Sequence, residues 1–302
     1  MPTCPIGQRP WVQPRSRAHE AALSSRGSGP GLMSPPSRPP TRKSRFPASG
    51  ATPSAPRSEV LRPQRPVQQA ALDAARQTAP SGVGLTSDAV RLRMVERLAR
   101  GGIRCEPVLQ AMAQVPRHAF VDTALAAQAY EDTSLPIGLG QTISKPSVVA
   151  RMVSLLHEGE RARDTGHLGK VLEIGTGCGY QAAVLCHLAR QVVSIERLAA
   201  LHEQARQRLA PWRGHRLMLI WGDGRLGHGP SAPYDSIIAA AGGDELPQAW
   251  LDQLAVGGRL VAPVQSEAHG GHMLLVVDRK TDGWVRQLQE PVHFVPLKSG
   301  SE

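Results

Sequence analysis

The chain has 302 residues, of which 41% are hydrophobic and 20% charged, and a formal net charge of +10. This length suffices for one large domain or two small ones. The basic charge is concentrated: residues 1–80 contain 12 Lys+Arg and 3 Asp+Glu, whereas residues 81–302 contain 23 and 22. Recognition of phosphate backbones needs clustered Lys and Arg, so a near-neutral body argues against a specific nucleic-acid partner.

The sequence also lacks the patterns typical of membrane proteins, secreted proteins and proteins built on disulfide bonds or metal sites. No apolar run approaches the length of about 20 residues that a membrane helix needs, and the N-terminus lacks the apolar core of a secretory signal. The four cysteines are too few and too scattered for a disulfide scaffold or a Cys-x-x-Cys metal site. We therefore expect a cytoplasmic protein with no membrane association and no metal. We also expect a monomer, although these patterns do not determine the oligomeric state.

Residues 1–82 are predicted to form a disordered leader rich in Pro, Arg and Ser. Fifteen of the 26 prolines lie in residues 1–80, and the segment lacks the apolar periodicity that offsets the entropy of ordering. Residues 83–302 are predicted to form the folded domain.

Three helices are predicted at the start of this domain, over Ser87–Ala99, Glu106–Ala113 and Asp122–Tyr130. In the first, Val90 and Leu98 belong to an apolar stripe at helical spacing, with charged residues between them. With the Gly-, Thr- and Ser-rich loop that follows, these helices form a small helical N-terminal part, residues 83–145.

The remainder, residues 146–302, is predicted to be an α/β core with a doubly wound, mostly parallel sheet. A helix is predicted over Lys145–Leu156, before the first strand of this sheet. Further helices are predicted over Tyr180–Ala189, Leu198–Leu209 and Pro247–Leu254. Short runs rich in Val, Ile and Leu predict strands at Lys170–Ile174, Gln191–Ile195, Arg216–Ile220, Ser236–Ala240, Arg259–Pro263 and Met273–Val277. Alternating strands and helices favour a parallel sheet covered on both faces.

An antiparallel hairpin is predicted at the C-terminal edge of this sheet. The Met273–Val277 and Trp284–Gln287 runs have no helical segment between them, and Asp282-Gly283 is a turn signal. The final strands should therefore depart from the parallel pattern.

The strongest local motif runs from the first core strand through a glycine turn into a helix. Gly175, Gly177 and Gly179 permit a tight turn around Thr176, and the next helix presents free N–H groups. The Gly-x-Gly-x-Gly spacing differs from the dinucleotide pattern. Glu173, just before it, would repel a pyrophosphate but suits the methionine ammonium of S-adenosyl-L-methionine.

Two carboxylates at later strand ends strengthen the cofactor interpretation. Glu196 can accept hydrogen bonds from both ribose hydroxyls, and Asp223 with Gly224 can read an adenine edge at the same crevice. Taken alone, Glu196 is also compatible with a solvated strand end, and Asp223 with a simple turn cap.

The glycine loop resembles that of class I methyltransferases, with a Rossmann-like fold. The run from Asp132 to Pro146, DTSLPIGLGQTISKP, is similar to the signature of protein-L-isoaspartate O-methyltransferases. The resemblance extends from about Leu85 to Leu297 and includes the terminal motif from Val292 to Leu297, VHFVPL. Cys178 and Lys145 depart from the residues common in that family.

The resemblance implies a protein repair enzyme. Its reaction transfers a methyl group from S-adenosyl-L-methionine to the α-carboxylate of L-isoaspartyl residues in damaged proteins and peptides. The resulting ester closes to a succinimide that hydrolyses partly to aspartyl. The resemblance places Ser144 at the active-site hydroxyl, with Thr142 and Ile143 shaping the substrate loop. Ser144 alone is also compatible with a cap for the helix that follows it.

Two alternatives remain open at this point. One is a methyltransferase that acts on a small molecule or a nucleic acid. The other is a non-catalytic protein that holds the cofactor and uses the basic leader for attachment.

Overall fold

A computed structural model describes residues 88–212 and 216–302. The predicted leader, residues 1–82, lies outside the described residues, as do residues 83–87. The helices are α1 (Asp88–Arg100), α2 (Glu106–Gln114), α3 (Pro146–His157), α4 (Glu160–Thr165), α5 (Tyr180–Leu188), α6 (Ala199–Arg208) and α7 (Gln248–Gln253).

Two sheets hold the described strands. A two-stranded antiparallel sheet consists of β1 (Leu135–Gly138) and β2 (Gln141–Ile143). The main sheet consists of β3 (Lys170–Ile174), β4 (Gln191–Glu196), β5 (Leu217–Trp221), β6 (Tyr234–Ala239), β7 (Leu254–Ser266), β8 (Gly271–Lys280) and β9 (Gly283–Val292).

The main sheet confirms the predicted α/β fold class. Its strand order is β5-β4-β3-β6-β7-β8-β9, parallel from β5 to β7 and antiparallel at β8 and β9. Strands β4 and β5 follow β3 on one side of it. The chain then crosses back and places β6 on the other side of β3, where β7 to β9 continue the sheet. The strand order therefore reverses between β3 and β6, and ligands bind at such a reversal in open α/β sheets.

Two apolar clusters cover the two faces of the sheet because successive side chains of a strand point to opposite faces. Val171 belongs to the cluster under α1, α2, α3 and α5, whereas Leu172 belongs to the cluster under α7. Along β6, Ile238 and Ile237 divide in the same way. Both faces of the central strands are thus buried, which explains their continuous apolar sequences.

The segment predicted as a helix over Asp122–Tyr130 is instead a pair of 3₁₀ turns, Arg117–Phe120 and Thr123–Gln128. The Asp122 side chain accepts a hydrogen bond from Ala124 N. The carbonyls of Ala129 and Tyr130 accept hydrogen bonds from Arg117 and Arg97. Side chains from elsewhere thus bind backbone groups at the end of the segment, and the continuous α-helix does not form.

Three further differences from the sequence predictions are a hairpin, a longer strand and an additional helix. The loop rich in Gly, Thr and Ser contains the β1–β2 hairpin, with Leu139 at its tip in the left-handed region, φ 52°. Strand β7 is much longer than predicted because it pairs with β6 on one side and β8 on the other. Helix α4 was not predicted. No helix in the described ranges has the length and apolar character needed to cross a membrane.

Candidate active site

The point of strand reversal opens into a cavity of about 480 Å³. Its walls come from the glycine loop, the next two strand ends, the β1–β2 hairpin with the residues after it, and a C-terminal segment. Among its lining residues are Thr142, Ile143, Ser144, Gly175, Thr176, Gly177, Cys178, Tyr180, Glu196, Arg197, Gly224, Ala240, Val295, Pro296, Leu297 and Lys298.

The glycine loop has the backbone conformation that its glycines permit. Gly175, Gly177 and Gly179 have φ values of 88°, 55° and 95°, all in the region that disfavours residues with a side chain. A Cβ atom at Gly179 would lie 2.8 Å from Leu209 Cδ1. The turn therefore needs glycine for both backbone conformation and space.

Glu196 joins this loop to the end of β4. One carboxylate oxygen accepts a hydrogen bond from Gly177 N at 2.8 Å, and the other accepts one from Leu198 N at 3.0 Å. The side chain lines the cavity and is 5% exposed. Each carboxylate oxygen can accept more than one hydrogen bond, so acceptor capacity remains for a ligand.

Glu173 lies beneath the loop and does not form part of the cavity wall. Ser194 donates a 2.5 Å hydrogen bond to Glu173 Oε2, and the Ser194 hydroxyl lies 2.5 Å from that of Thr176. The Oε1 atom of Glu173 is buried and has no hydrogen-bond partner within the part of the chain that the structure describes. Burial raises the pKa of Glu173 to about 8.

Asp223 also lies outside the cavity wall, although Gly224 beside it is part of that wall. Its two carboxylate oxygens accept hydrogen bonds from Arg225 N at 2.8 Å and Gly300 N at 2.7 Å. Asp223 thus caps the short 3₁₀ turn that begins at Gly224 and holds the C-terminal segment. The structure shows the capping role that the sequence left open.

Ser144 lines the same cavity as the glycine loop, together with Thr142 and Ile143. Its hydroxyl makes no hydrogen bond to any described residue. The N-cap of α3 is Lys145, and the Asp132 carboxylate accepts hydrogen bonds from both Ser147 N and Ser147 Oγ at 2.8 Å. Asp132 therefore supplies the polar contacts at this helix start, and the Ser144 side chain does not.

The site includes residues to which sequence analysis assigned no role. Val295, Pro296, Leu297 and Lys298 line the cavity from the C-terminal segment. Gly242 fixes this segment, donating to Val295 O at 2.8 Å and accepting from Leu297 N at 2.6 Å. The terminal VHFVPL motif was the available signal, but its position beside the loop depends on the tertiary fold.

The described residues contain no cluster of His, Cys, Asp or Glu able to hold a metal ion. The cavity instead combines the backbone of the glycine loop, the Glu196 carboxylate and the Ser144 hydroxyl. This arrangement suits an organic cofactor on the side of the glycine loop and an acceptor on the side of Ser144.

Comparison with known proteins gives consistent results. Residues 90–302 match the family described as protein-L-isoaspartate(D-aspartate) O-methyltransferase. A protein-L-isoaspartate O-methyltransferase of Methylibium petroleiphilum is 60% identical over 255 residues, covering 84% of this chain and 91% of the relative. One from Leptothrix cholodnii is 64% identical over 242 residues, covering 80% and 84%.

Solved structures resemble the described fold. A protein-L-isoaspartate O-methyltransferase structure aligns with a TM-score of 0.62 at 25% identity, covering 69% of this chain and 66% of that one. A Plasmodium falciparum protein assigned to the same family, in complex with S-adenosyl-L-homocysteine, aligns at 0.58 and 22% identity, covering 69% and 98%. At that identity the second alignment supports the fold only. The chain belongs to the protein-L-isoaspartate(D-aspartate) O-methyltransferase family.

Proposed function

We propose that this protein transfers a methyl group from S-adenosyl-L-methionine to the α-carboxylate of L-isoaspartyl residues in damaged proteins and peptides. The single observation that carries the proposal is the shared cavity, in which the glycine loop and the Ser144 loop face the same space. Family membership supports the same reaction. Neither alternative from the sequence, a different methyl acceptor or a non-catalytic binding protein, is favoured by these observations.

The residues present fit S-adenosyl-L-methionine. The left-handed glycines let the backbone approach a ligand closely, and Glu196 retains acceptor capacity for ribose hydroxyls. The Oε1 atom of Glu173, which has no hydrogen-bond partner among the described residues, lies in a buried carboxyl group beneath the loop, where a nearby ligand ammonium would favour the ionised form. When bound, the cofactor supplies an electrophilic methyl group.

The chain's own residues then have the tasks of binding and alignment. An acceptor carboxylate has an ordinary pKa near 4, so it is already ionised at neutral pH and needs no general base. The Ser144 hydroxyl can donate a hydrogen bond to one carboxylate oxygen and leave the other free to attack. The apolar side chains of Ile143, Val295 and Leu297 reduce the water around the nucleophile.

We assign cofactor binding to Gly175, Thr176, Gly177 and Glu196, with Gly224 at the far end of the crevice. Gly179, Glu173 and Asp223 act indirectly in this proposal. Gly179 allows the turn, Glu173 orders Thr176 through Ser194, and Asp223 caps the turn at Gly224. The cytoplasmic location and the monomeric state stay predictions.

Two peptides that differ only in an L-isoaspartyl or an L-aspartyl residue test this function. Incubated with S-adenosyl-L-methionine labelled in its methyl group, the protein should label only the isoaspartyl peptide. The label should be released as methanol at alkaline pH, because the product is a methyl ester. Equal labelling of both peptides, or of neither, would overturn the assignment.

A further inference from the structure

Arg117 is fully buried at the start of the first 3₁₀ turn. Arginine is rarely buried to this extent unless it is paired. Burial lowers the pKa of its guanidinium, but an arginine side chain remains protonated in proteins. A residue that is costly to bury calls for an account of what it does.

The guanidinium of Arg117 connects three separate segments of the chain. Nε donates a hydrogen bond to Ala129 O at 2.7 Å, and Nη2 donates one to Ser144 O at 2.7 Å. The central carbon lies 4.8 Å from the centroid of the Tyr180 ring, in a cation–π contact. Tyr180 is the first residue of α5, immediately after the glycine loop.

This contact set requires the planar, branched shape of the arginine side chain. Within the described ranges the polar partners of Arg117 are two backbone carbonyls and no carboxylate, and its Nη1 atom has no hydrogen-bond partner. A planar fork can bond two carbonyls in different directions while its face rests on a ring. A lysine ammonium is a single point and cannot reproduce all three contacts.

The contact with Ser144 bears on the proposed reaction. Because Arg117 holds the Ser144 carbonyl, it restrains the peptide plane after Ser144 and hence the direction of the Ser144 side chain. Ser144 lines the cavity, and its hydroxyl makes no hydrogen bond within the part of the chain that the structure describes, so among these residues the restraint comes through the Ser144 backbone. Arg117 itself is not among the residues that line the cavity.

We propose that Arg117 is a positioning residue for methyl transfer, which directs the Ser144 hydroxyl toward the acceptor carboxylate. Through Tyr180 it also ties the acceptor loop to the helix that follows the glycine loop. This inference rests on the proposed function, because it assigns Arg117 a task in that reaction.

The test is a double-mutant cycle between Arg117→Lys and Ser144→Ala, with the isoaspartyl peptide as substrate. Arg117→Lys should lower kcat/KM for the peptide by about 10- to 100-fold. Its affinity for S-adenosyl-L-homocysteine, measured by calorimetry, should stay within about twofold of the wild type because the cofactor contacts are unchanged. In the Ser144→Ala background the same substitution should lower kcat/KM by less than about threefold, since residues that act through one another are not additive.

Two further variants serve as a replacement for the lysine variant and as a matched control. Arg117→Gln offers a smaller neutral side chain if the lysine variant does not fold, and it should show the same non-additivity. Arg208→Met is the matched control, since Arg208 Nη1 donates to Phe120 O in the same 3₁₀ turn without touching the Ser144 loop. It should leave kcat/KM unchanged in both backgrounds. Rates are expressed per cofactor-binding site, so misfolded protein does not contribute.

Equal losses in both backgrounds would show that Arg117 only stabilises the fold, and would overturn this inference while leaving the proposed function intact. Loss of cofactor affinity in parallel with activity would overturn it in the same way. If the wild-type protein itself fails to distinguish isoaspartyl from aspartyl peptide, the proposed function is wrong and the inference falls with it.

Discussion

The proposed cofactor side of the cavity and its proposed acceptor side differ in how far apart their residues lie along the chain. The cofactor side, Gly175–Gly179 with Glu196 and Gly224, follows the ends of the adjacent parallel strands β3, β4 and β5. Backbone groups of the sheet hold it: Gly175 N and Thr176 N both donate to Ile195 O. The sheet itself therefore places these residues together.

The acceptor side, Thr142–Ser144 with Val295–Leu297, is assembled from segments about 150 residues apart in the chain. It lies outside the main sheet and depends on individual contacts from Arg117, Asp132 and Gly242. The seven-stranded sheet thus holds the cofactor side, whereas the two-stranded β1–β2 hairpin and a few polar contacts hold the acceptor side. Changes on the cofactor side should consequently lower the affinity for S-adenosyl-L-homocysteine, whereas changes on the acceptor side should lower kcat/KM for the isoaspartyl peptide.

The largest effect is expected for Gly179→Ala on the cofactor side. The added methyl would lie 2.8 Å from Leu209 Cδ1 at a residue with φ 95°. We expect a loss of about 2–4 kcal/mol in the free energy of unfolding and no measurable binding of S-adenosyl-L-homocysteine by calorimetry. Gly166→Ala is the control: Gly166 has φ 72° and open space around it, so the variant should lose about 1 kcal/mol and keep binding. Wild-type affinity in Gly179→Ala would contradict the assignment.

On the acceptor side, Ser144→Ala should lower kcat/KM for the isoaspartyl peptide by about 10- to 100-fold because it removes the donor to the acceptor carboxylate. Cofactor affinity should be unchanged. Ser147→Ala is the control, since it removes only the hydroxyl contact to Asp132; it should lower stability by about 1 kcal/mol and retain turnover. Equal turnover in Ser144→Ala and the wild type would exclude the proposed role of Ser144.

Glu196→Ala changes the cofactor side and should affect cofactor affinity more than turnover. Because two backbone N–H groups lose a charged acceptor, affinity for S-adenosyl-L-homocysteine should fall by about 10- to 100-fold. Turnover at saturating cofactor should change much less. Glu203→Ala on the exposed side of α6, where Glu203 pairs with Arg206, should leave affinity intact. An undiminished affinity in Glu196→Ala would refute the ribose contact.

A smaller, pH-dependent effect is expected at Glu173, whose pKa burial raises from 4.5 to about 8. Between these two values the folded protein holds a proton that the unfolded chain releases, so this group's contribution to stability falls as the pH rises. Glu173→Gln removes the titration. The free energy of unfolding of the variant, relative to the wild type, should rise by about 2 kcal/mol between pH 6 and pH 8 in urea titrations. Parallel curves for the two proteins would contradict this.

The smallest effect is expected for removal of residues 1–82, which carry +9 of the +10 net charge. If both sides of the cavity lie in the near-neutral body, the truncated protein should methylate the isoaspartyl peptide with unchanged kcat/KM at low and high salt. A loss of activity would show that the leader contributes to the site.

Prediction succeeded where the signal was local. Lys170–Ile174 is a strand with the predicted bounds because a continuous apolar run before a glycine turn is typical of a buried parallel strand. Helix α5 ends one residue before the predicted end. Prediction failed over Asp122–Tyr130, where helical spacing was overridden by arginine side chains that bind the carbonyls of Ala129 and Tyr130.

The candidate site divides in the same way. The glycine loop and Glu196 were predicted from residues that follow successive strands, and the structure brings them to one cavity. Asp223 caps a turn and Glu173 lies beneath the loop, so neither lines the cavity, and their contacts with a ligand stay predictions. Side-chain direction at a turn depends on competing donors, which the sequence pattern does not reveal.

The sequence by itself determined the fold class, the parallel core strands, the glycine turn and the family, because each rests on short-range spacing or an unbroken signature. Only the tertiary structure decided that Ser144, Glu196 and Leu297 face one cavity and that the buried Arg117 holds the acceptor loop. These juxtapositions join segments that are distant along the chain. Their geometry follows from how the sheet, the hairpin and the 3₁₀ turns pack, and no local pattern encodes it.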